Sequence, residues 1–123
     1  NEFAPVLGVR IETRGERLGQ HVLAFTGDTG PCDNIATLAR DADLLVHEAN
    51  WSAVIDPQFA AGAYGHSTAQ IAGRNATMAN AKHVALVHVD NRYEGRENVL
   101  LDEAQREFAG RVSMPIAGAV YTI

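Results

Sequence analysis

Four polar residues stand at positions that suit acid–base or metal chemistry. Asp28 ends the segment AFTGD, Glu48 ends LLVHE and His88 ends ALVH, so each terminates an apolar run. His66 directly precedes Ser67, where the pattern predicts the start of a helix. Imidazole and carboxylate groups are the ligands expected of zinc and similar divalent cations, and they are also the usual general acids and bases. Either chemistry requires that these side chains meet in one place.

The hydrophobic pattern predicts an α/β fold. Strands are expected over 6–13, 21–28, 43–49, 83–89 and 115–123, and helices over about 33–40, 68–79 and 97–110. The first two strands should form a hairpin through 14–20, and the helices should join the later strands as right-handed parallel crossovers. Ser67 is expected to cap the second helix, with Gln70 at the capping-box spacing. The stretch 50–66 has no periodic pattern, and loops of that length are usually functional or disordered.

The predicted sheet brings the four polar residues to one edge. Functional groups of such sheets gather beyond the carboxyl ends of the strands, which is where Asp28, Glu48 and His88 fall, with His66 at a neighbouring helix start. Each residue also has a structural interpretation. Asp28 could cap a turn, His88 could be a core or rim histidine, Glu48 with His47 could be a polar strand end, and His66 could belong to the helix cap. The coincidence of all four at one edge favours a shared site.

Composition excludes several other classes of protein. The 123 residues fit a single domain, 1–123, and the formal charge of −5, with Lys82 and nine arginines as its only fixed cations, gives no bulk attraction for nucleic acid. No apolar stretch reaches the roughly 18 residues of a membrane span. Cys32 is the only cysteine, so an internal disulfide is excluded, and it is expected to be a buried small hydrophobe rather than a reactive thiol. His21 and His83 begin strands at the opposite edge and are expected to be structural or surface residues.

Four segments together resemble a known superfamily. FTGDTGP, LLVHEAN, GHSTA and LVHVDNRY, in this order, are similar to the C-terminal half of metallo-β-lactamase-superfamily hydrolases. The resemblance is closest to the ribonuclease Z group and its phosphodiesterase and arylsulfatase-like relatives, and it covers nearly the whole chain. It implies the C-terminal half of an αββα sandwich, in which a strand hairpin precedes alternating helices and strands.

The resemblance also implies a role for each polar residue. Asp28 would bridge two divalent metal ions, and His88 would bind one of them. Zinc is the expected metal, although manganese also suits His and Asp ligands. His66 would donate a proton to the leaving oxygen or stabilise the charge on the phosphorane, and Glu48 would orient it. The implied reaction is phosphodiester hydrolysis by a metal-bound hydroxide.

Two further residues are expected to contact substrate. Arg92 stands four residues past His88, where ribonuclease Z has an arginine that contacts substrate phosphate. Trp51 begins an apolar loop that runs to Tyr64 and could wall a pocket for a small hydrophobic ester, or could simply pack. The substrate is therefore either the 3′ region of an RNA or another ester, such as a sulfate ester or a lactone.

The chain lacks the main metal motif of the superfamily. That motif, His-x-His-x-Asp-His, does not occur here, and two protein ligands are fewer than the three of a usual catalytic zinc site. We therefore hypothesise that the chain is the C-terminal half of a larger enzyme, that its partner is the N-terminal half of the same fold, and that alone it binds metal weakly and hydrolyses nothing. A non-catalytic binding or assembly domain is the alternative. The resemblance further suggests a homodimer, and the compartment stays open, with the cytoplasm favoured.

Overall fold

A five-stranded sheet with helices forms the centre of the protein, as a computed structural model describes it over residues 5–123. The strands are β1 (Val9–Thr13), β2 (His21–Phe25), β3 (Leu44–Glu48), β4 (His83–Val87) and β5 (Arg111–Ser113). The helices are α1 (Asn34–Leu38), α2 (Ala69–Met78) and α3 (Glu97–Gln105), with short 3-10 helices at Pro57–Phe59 and Asn91–Tyr93. The predicted α/β alternation is confirmed.

The strand order places the ends of three strands at one edge. The order is β1-β2-β3-β4-β5, in which β1 pairs antiparallel with β2 and all later pairs are parallel. The hairpin and the parallel crossovers are thus as predicted. Because each crossover moves one strand in the same direction, right-handed connections put the helices on one face of the sheet. The carboxyl ends of β2, β3 and β4 lie side by side.

The helices cover one face of the sheet with small and branched apolar side chains. Strand register puts Val22, Leu45 and Val84 on this face, and they belong to one core cluster with residues of α2 and α3. Gly73 of α2 permits the close approach of α3, because a Cβ at this position would collide with the backbone of Ala104. No helix within residues 5–123 is long and apolar enough to cross a bilayer.

The opposite face of the sheet is apolar and partly open to solvent. Register pairs Val9 with Phe25 and Ile11 with Leu23, so these four side chains lie on the face away from the helices. Val9, Ile11 and Phe25 are 48%, 52% and 43% exposed. Apolar side chains at alternating positions normally indicate a buried face. This face has that apolar pattern, but no element within residues 5–123 covers it.

The last strand is shorter and earlier than predicted. β5 is Arg111–Ser113, and the expected strand 115–123 is not formed. Pro115 has no N–H to donate to a strand ladder, and Gly118 adopts a φ of 83° that breaks the extended chain. Ile116 and Val120 are exposed, so the apolar pattern of this segment does not reflect core packing. Helix α3 likewise ends at Gln105, before the expected Gly110.

Two other local predictions are wrong. Thr68, not Ser67, caps α2, because the Thr68 side chain accepts a hydrogen bond from the Ile71 N–H. Ser67 is drawn away from capping, since its hydroxyl donates to the Thr29 carbonyl oxygen over 2.7 Å. Cys32 is exposed rather than buried, because it lies in the turn that follows β2 and not on a core face.

Buried His47 predicts a pH-dependent stability. Its Nδ1 donates to the Glu48 carbonyl oxygen (2.6 Å), so Nε2 is the acceptor from the Asn75 amide (2.9 Å). Burial lowers the pKa of His47 from 6.5 to about 4. Between these values only the unfolded chain takes up the proton, so the contribution of His47 to stability falls by about 1.4 kcal/mol for each pH unit between roughly 6 and 4.

Urea unfolding at pH 7.5 to 4.5 measures this slope, with His47→Gln as the comparison. Glutamine can keep one donor and one acceptor but does not titrate, so we expect a flatter profile. The comparison is needed because burial raises the pKa of Glu48, and that carboxyl therefore offsets part of the loss as the pH falls. Equal slopes in the two proteins would show that His47 does not cause the effect.

Candidate active site at the carboxyl ends of the strands

Glu48 lies at the centre of the site and is almost fully buried. Its Oε1 accepts hydrogen bonds from the Thr29 N–H (3.0 Å) and from Nδ1 of His66 (2.8 Å). Its Oε2 accepts from the N–H groups of Asn50 (3.0 Å) and Ser67 (3.1 Å). A single carboxylate thus ties together the turn after β2, the end of β3 and the residues before α2.

This arrangement decides what Glu48 can do chemically. Burial raises the pKa of its carboxyl, while the hydrogen bonds from Asn50, His66 and Ser67 lower it in part. Each oxygen of Glu48 already accepts two hydrogen bonds, so the carboxylate serves to orient its donors. It holds His66 with the proton on Nδ1, so that Nε2 is the nitrogen left for proton exchange.

A tight turn delivers His66 to Glu48. Ala63 and His66 exchange two backbone hydrogen bonds (3.0 and 3.1 Å), and the central residues Tyr64 and Gly65 both have positive φ (55° and 76°), as a type I′ turn requires. The indole N–H of Trp51 donates to the Ala63 carbonyl oxygen over 2.9 Å. The turn is therefore fixed at its base, and His66 leaves it in a defined direction.

Asp28 and His88 form the second pair of the site. Asp28 Oδ1 lies 3.4 Å from His88 Nδ1, which is longer than a good hydrogen bond. Among residues 5–123, the Asp28 carboxylate has no bond to the amides that follow it, so it does not act as a turn cap. His88 is exposed rather than in the core, and its φ of 56° places a non-glycine residue in the left-handed region. Such backbone conformations cost about 1–3 kcal/mol and concentrate at functional sites.

The two pairs are adjacent. The rings of His66 and His88 are 5.1 Å apart between centroids, and one ligand atom of each of Glu48, His66 and His88 lies within 4.8 Å of the others. By distance alone these three residues could hold a cation. The hydrogen bonds on Glu48 argue against that set, and the exposed oxygen and nitrogen of Asp28 and His88 remain the better pair of ligands.

Arg92 is held beside the site by carboxylates and an aromatic ring. Its guanidinium lies 4.9 Å above the Trp51 ring and within 3.6 Å of Asp56 and 3.5 Å of Asp90. Asp56 also accepts from the hydroxyl of Tyr93 (2.7 Å), which is the main cause that lowers the pKa of Asp56. Burial raises the pKa of Tyr93 to about 12. Arg92 is therefore preoriented and half-exposed, but a substrate phosphate would share it with two carboxylates.

Trp51 is buried, and this limits its contact with any substrate. It is only 7% exposed and stacks on Phe59 with 4.3 Å between ring centroids. The packing interpretation of this tryptophan is therefore the one that its environment supports. Its rings and N–H support Arg92 and the turn before His66.

Sequence reasoning missed a second buried carboxylate, Glu103 of α3. It accepts from the Ser52 hydroxyl (2.6 Å) and from the N–H groups of Ala53 (2.7 Å), Val54 (3.3 Å) and Gln70 (3.1 Å). Glu48 and Glu103 thus brace the same two segments, the one after β3 and the one that starts α2. The only sequence signal was a glutamate within the apolar period of α3, which is ambiguous without the fold.

Asn50 was also missed. The side-chain amide of Asn50 donates to the His88 carbonyl oxygen (2.9 Å), and the backbone carbonyl oxygen of Asn50 accepts from the Asp90 N–H (3.3 Å). These bonds hold the strained backbone of His88 in place. The position of Asn50 directly after the HEA segment was a signal, but not one that indicated its partner.

The fold and this site define a class of protein. The structure matches the metallo-β-lactamase fold protein YhfI from Bacillus subtilis with a TM-score of 0.73 and 26% identity, over 93% of this chain and 47% of that one. It matches human tRNase Z, short form, with a TM-score of 0.62 and 23% identity, over 96% of this chain and 42% of that one. This chain is a metallo-β-lactamase-fold protein, matched over part of that fold.

Sequence comparison identifies the relatives more narrowly. The chain is 44% identical over 94 residues to ribonuclease Z of Bacillus licheniformis, and 39% identical over 103 residues to ribonuclease Z of Aeropyrum pernix. These matches cover 75% and 83% of this chain but 30% and 32% of the relatives. No family model matches the chain. The chain is thus a homologue of ribonuclease Z that spans about a third of the length of these curated relatives.

Proposed function

We propose that this chain supplies one part of the active site of a metal-dependent phosphodiesterase related to ribonuclease Z. The observation that carries the proposal is the meeting of Asp28, Glu48, His66 and His88 at the carboxyl ends of β2, β3 and β4. The similarity to ribonuclease Z supports phosphodiesters over other esters. The substrate in this proposal is the 3′ region of an RNA.

Asp28 and His88 fit the metal that this function needs. A carboxylate and an imidazole, both exposed and 3.4 Å apart, suit zinc or manganese. Two divalent cations would supply Lewis acidity to a water molecule and to the phosphoryl oxygens. Two protein ligands are too few for such a site, so the remaining ligands would come from another part of the protein.

His66 and Glu48 supply the proton chemistry. Nδ1 of His66 is bonded to Glu48, so Nε2 can carry a proton to the leaving oxygen. Glu48 fixes the ring orientation and stabilises the imidazolium. Arg92 would bind a non-bridging phosphate oxygen by exchanging one of its carboxylate contacts for the substrate.

The open apolar face of the sheet supports the proposal that an N-terminal half of the same fold packs against this chain. Val9, Ile11 and Phe25 would pack against a second sheet in an αββα sandwich, which would bury them. The same half would provide the His-x-His-x-Asp-His ligands. A homodimer of the complete protein remains a prediction from the resemblance.

The test uses the full-length protein with a phosphodiester, a sulfate ester and a lactone as parallel substrates. We expect hydrolysis of the phosphodiester, its loss on chelation and its recovery with zinc or manganese. Asp28→Ala should lower bound metal and activity together, whereas the matched variant Asp33→Ala, in the turn beyond the site, should not. Faster turnover of the sulfate ester or lactone would replace the substrate class, and hydrolysis unaffected by chelation would contradict the proposal.

A further inference from the structure

An exposed tyrosine stands beside the candidate catalytic histidine. Tyr64 is 73% exposed, although it lies two residues before His66 in the turn described above. Large aromatic side chains lose favourable burial when they are left in solvent. An exposed ring at the mouth of a site therefore calls for an explanation other than core packing.

The backbone of Tyr64 makes the choice of residue more unusual. Its φ of 55° lies in the left-handed region, which glycine, asparagine and aspartate occupy readily and bulky residues avoid. Asp41 and Asn80 are at similar φ values and are of the tolerant types. His88 shares this conformation, and histidine is also enriched there, so Tyr64 is the exception in residue type among the described non-glycine residues with positive φ. Stability alone would favour another residue at this position.

The ring of Tyr64 is nevertheless held in place. It meets the rings of Trp51 and Phe59 edge to face, at 6.2 Å and 60° and at 6.3 Å and 71°. Edge contacts of this kind steady an aromatic ring from its side and leave π surface uncovered. Trp51, the shared neighbour, also contacts the ring of His66 (6.5 Å between centroids), and the Arg92 guanidinium lies 4.9 Å above its ring.

A cleft joins Tyr64 to the site. Its volume is about 340 Å³, and Tyr64 and His66 line it together with Gly30 and Pro31, from the turn that follows Asp28. Gly30 lies against Gly65, because a Cβ at Gly30 would stand 3.6 Å from the Gly65 carbonyl carbon. A group bound in the cleft would lie against the tyrosine while its neighbour reached His66.

We propose that Tyr64 is a stacking platform for a planar aromatic group of the substrate next to the scissile bond. The inference deepens the proposed function, and it rests on the placement of His66 in that active site. For a phosphodiester the planar group is a nucleobase, and for a small ester it is an aryl ring. Stacking on a tyrosine accepts any base, because every base has a π face, so the platform would add affinity without sequence preference.

Binding to the full-length protein tests the platform without turnover. Calorimetry compares a nucleoside 5′-monophosphate, phenyl phosphate and ribose 5-phosphate on wild type, Tyr64→Phe and Tyr64→Asn. We expect wild type and Tyr64→Phe to bind the nucleotide about tenfold more tightly than ribose 5-phosphate, and Tyr64→Asn to lose this preference. If phenyl phosphate binds as tightly as the nucleotide, the platform accepts aryl groups in general. If only the nucleotide binds tightly, the platform is restricted to nucleobases. A preference that survives in Tyr64→Asn, or that is absent in wild type, would overturn the proposal.

Thermal unfolding separates the platform from a structural ring. Asparagine tolerates the left-handed backbone that strains tyrosine, so Tyr64→Asn should unfold at the wild-type temperature or above while its nucleotide affinity falls. A lower unfolding temperature with unchanged binding preference would mean that the ring serves the fold only. Failure of the proposed function has a different signature, which is a wild-type protein that hydrolyses no phosphodiester whatever its binding preference.

Discussion

Replacement of His66 by alanine in the full-length protein is expected to lower kcat by about 10²- to 10⁴-fold, with bound metal unchanged. The magnitude is that of losing one positioned general acid. The reason is that His66 bonds to Glu48 through Nδ1 and so offers only one nitrogen, which the proposed mechanism uses for the proton. Steady-state kinetics and metal analysis of the same preparations measure both quantities.

The control is His21→Ala, which removes an imidazole at the start of β2, at the opposite end of that strand. It should leave kcat and metal content as they are. Loss of metal in His66→Ala would instead make His66 a ligand, as its proximity to Glu48 and His88 allows, and would refute the proton-donor role. An unchanged kcat would refute both roles.

Replacement of Glu103 by alanine is expected to lower the free energy of unfolding by about 3–5 kcal/mol. The change leaves the buried Ser52 hydroxyl and the partly buried N–H groups of Ala53, Val54 and Gln70 without their acceptor. Against a total stability of about 5–15 kcal/mol for a domain, this is a large loss. Urea unfolding measures it directly.

Glu107→Ala is the matched control, because Glu107 follows Glu103 by four residues and makes more exposed contacts with Gln70 and Arg74. Its effect should stay within about 0.5 kcal/mol. Equal effects of the two substitutions would show that the four hydrogen bonds of Glu103 contribute little beyond those of a surface glutamate.

The sequence was sufficient for the alternating order of strands and helices and for the edge of the sheet where the site lies. Strand and helix order follow from local periodicity, and parallel topology then sends the ends of β2, β3 and β4 to one edge. The predictions failed where alternative local interactions compete. Thr68 replaced Ser67 as the cap because the Ser67 hydroxyl found the Thr29 carbonyl, and Pro115 with Gly118 prevented the expected final strand. The hydrophobic pattern cannot decide between such interactions, because it does not include partners that are distant in sequence.

What the sequence by itself determined is which residue types stand at the strand ends, and hence that carboxylate and imidazole groups would meet there. Only the tertiary structure decided their division of labour. Glu48 is occupied by donors from Thr29, Asn50 and Ser67, so it orients His66, while Asp28 and His88 keep exposed ligand atoms. The physical reason is that a hydrogen bond between residues 19 apart leaves no periodic trace in the sequence, yet it decides which lone pairs remain free.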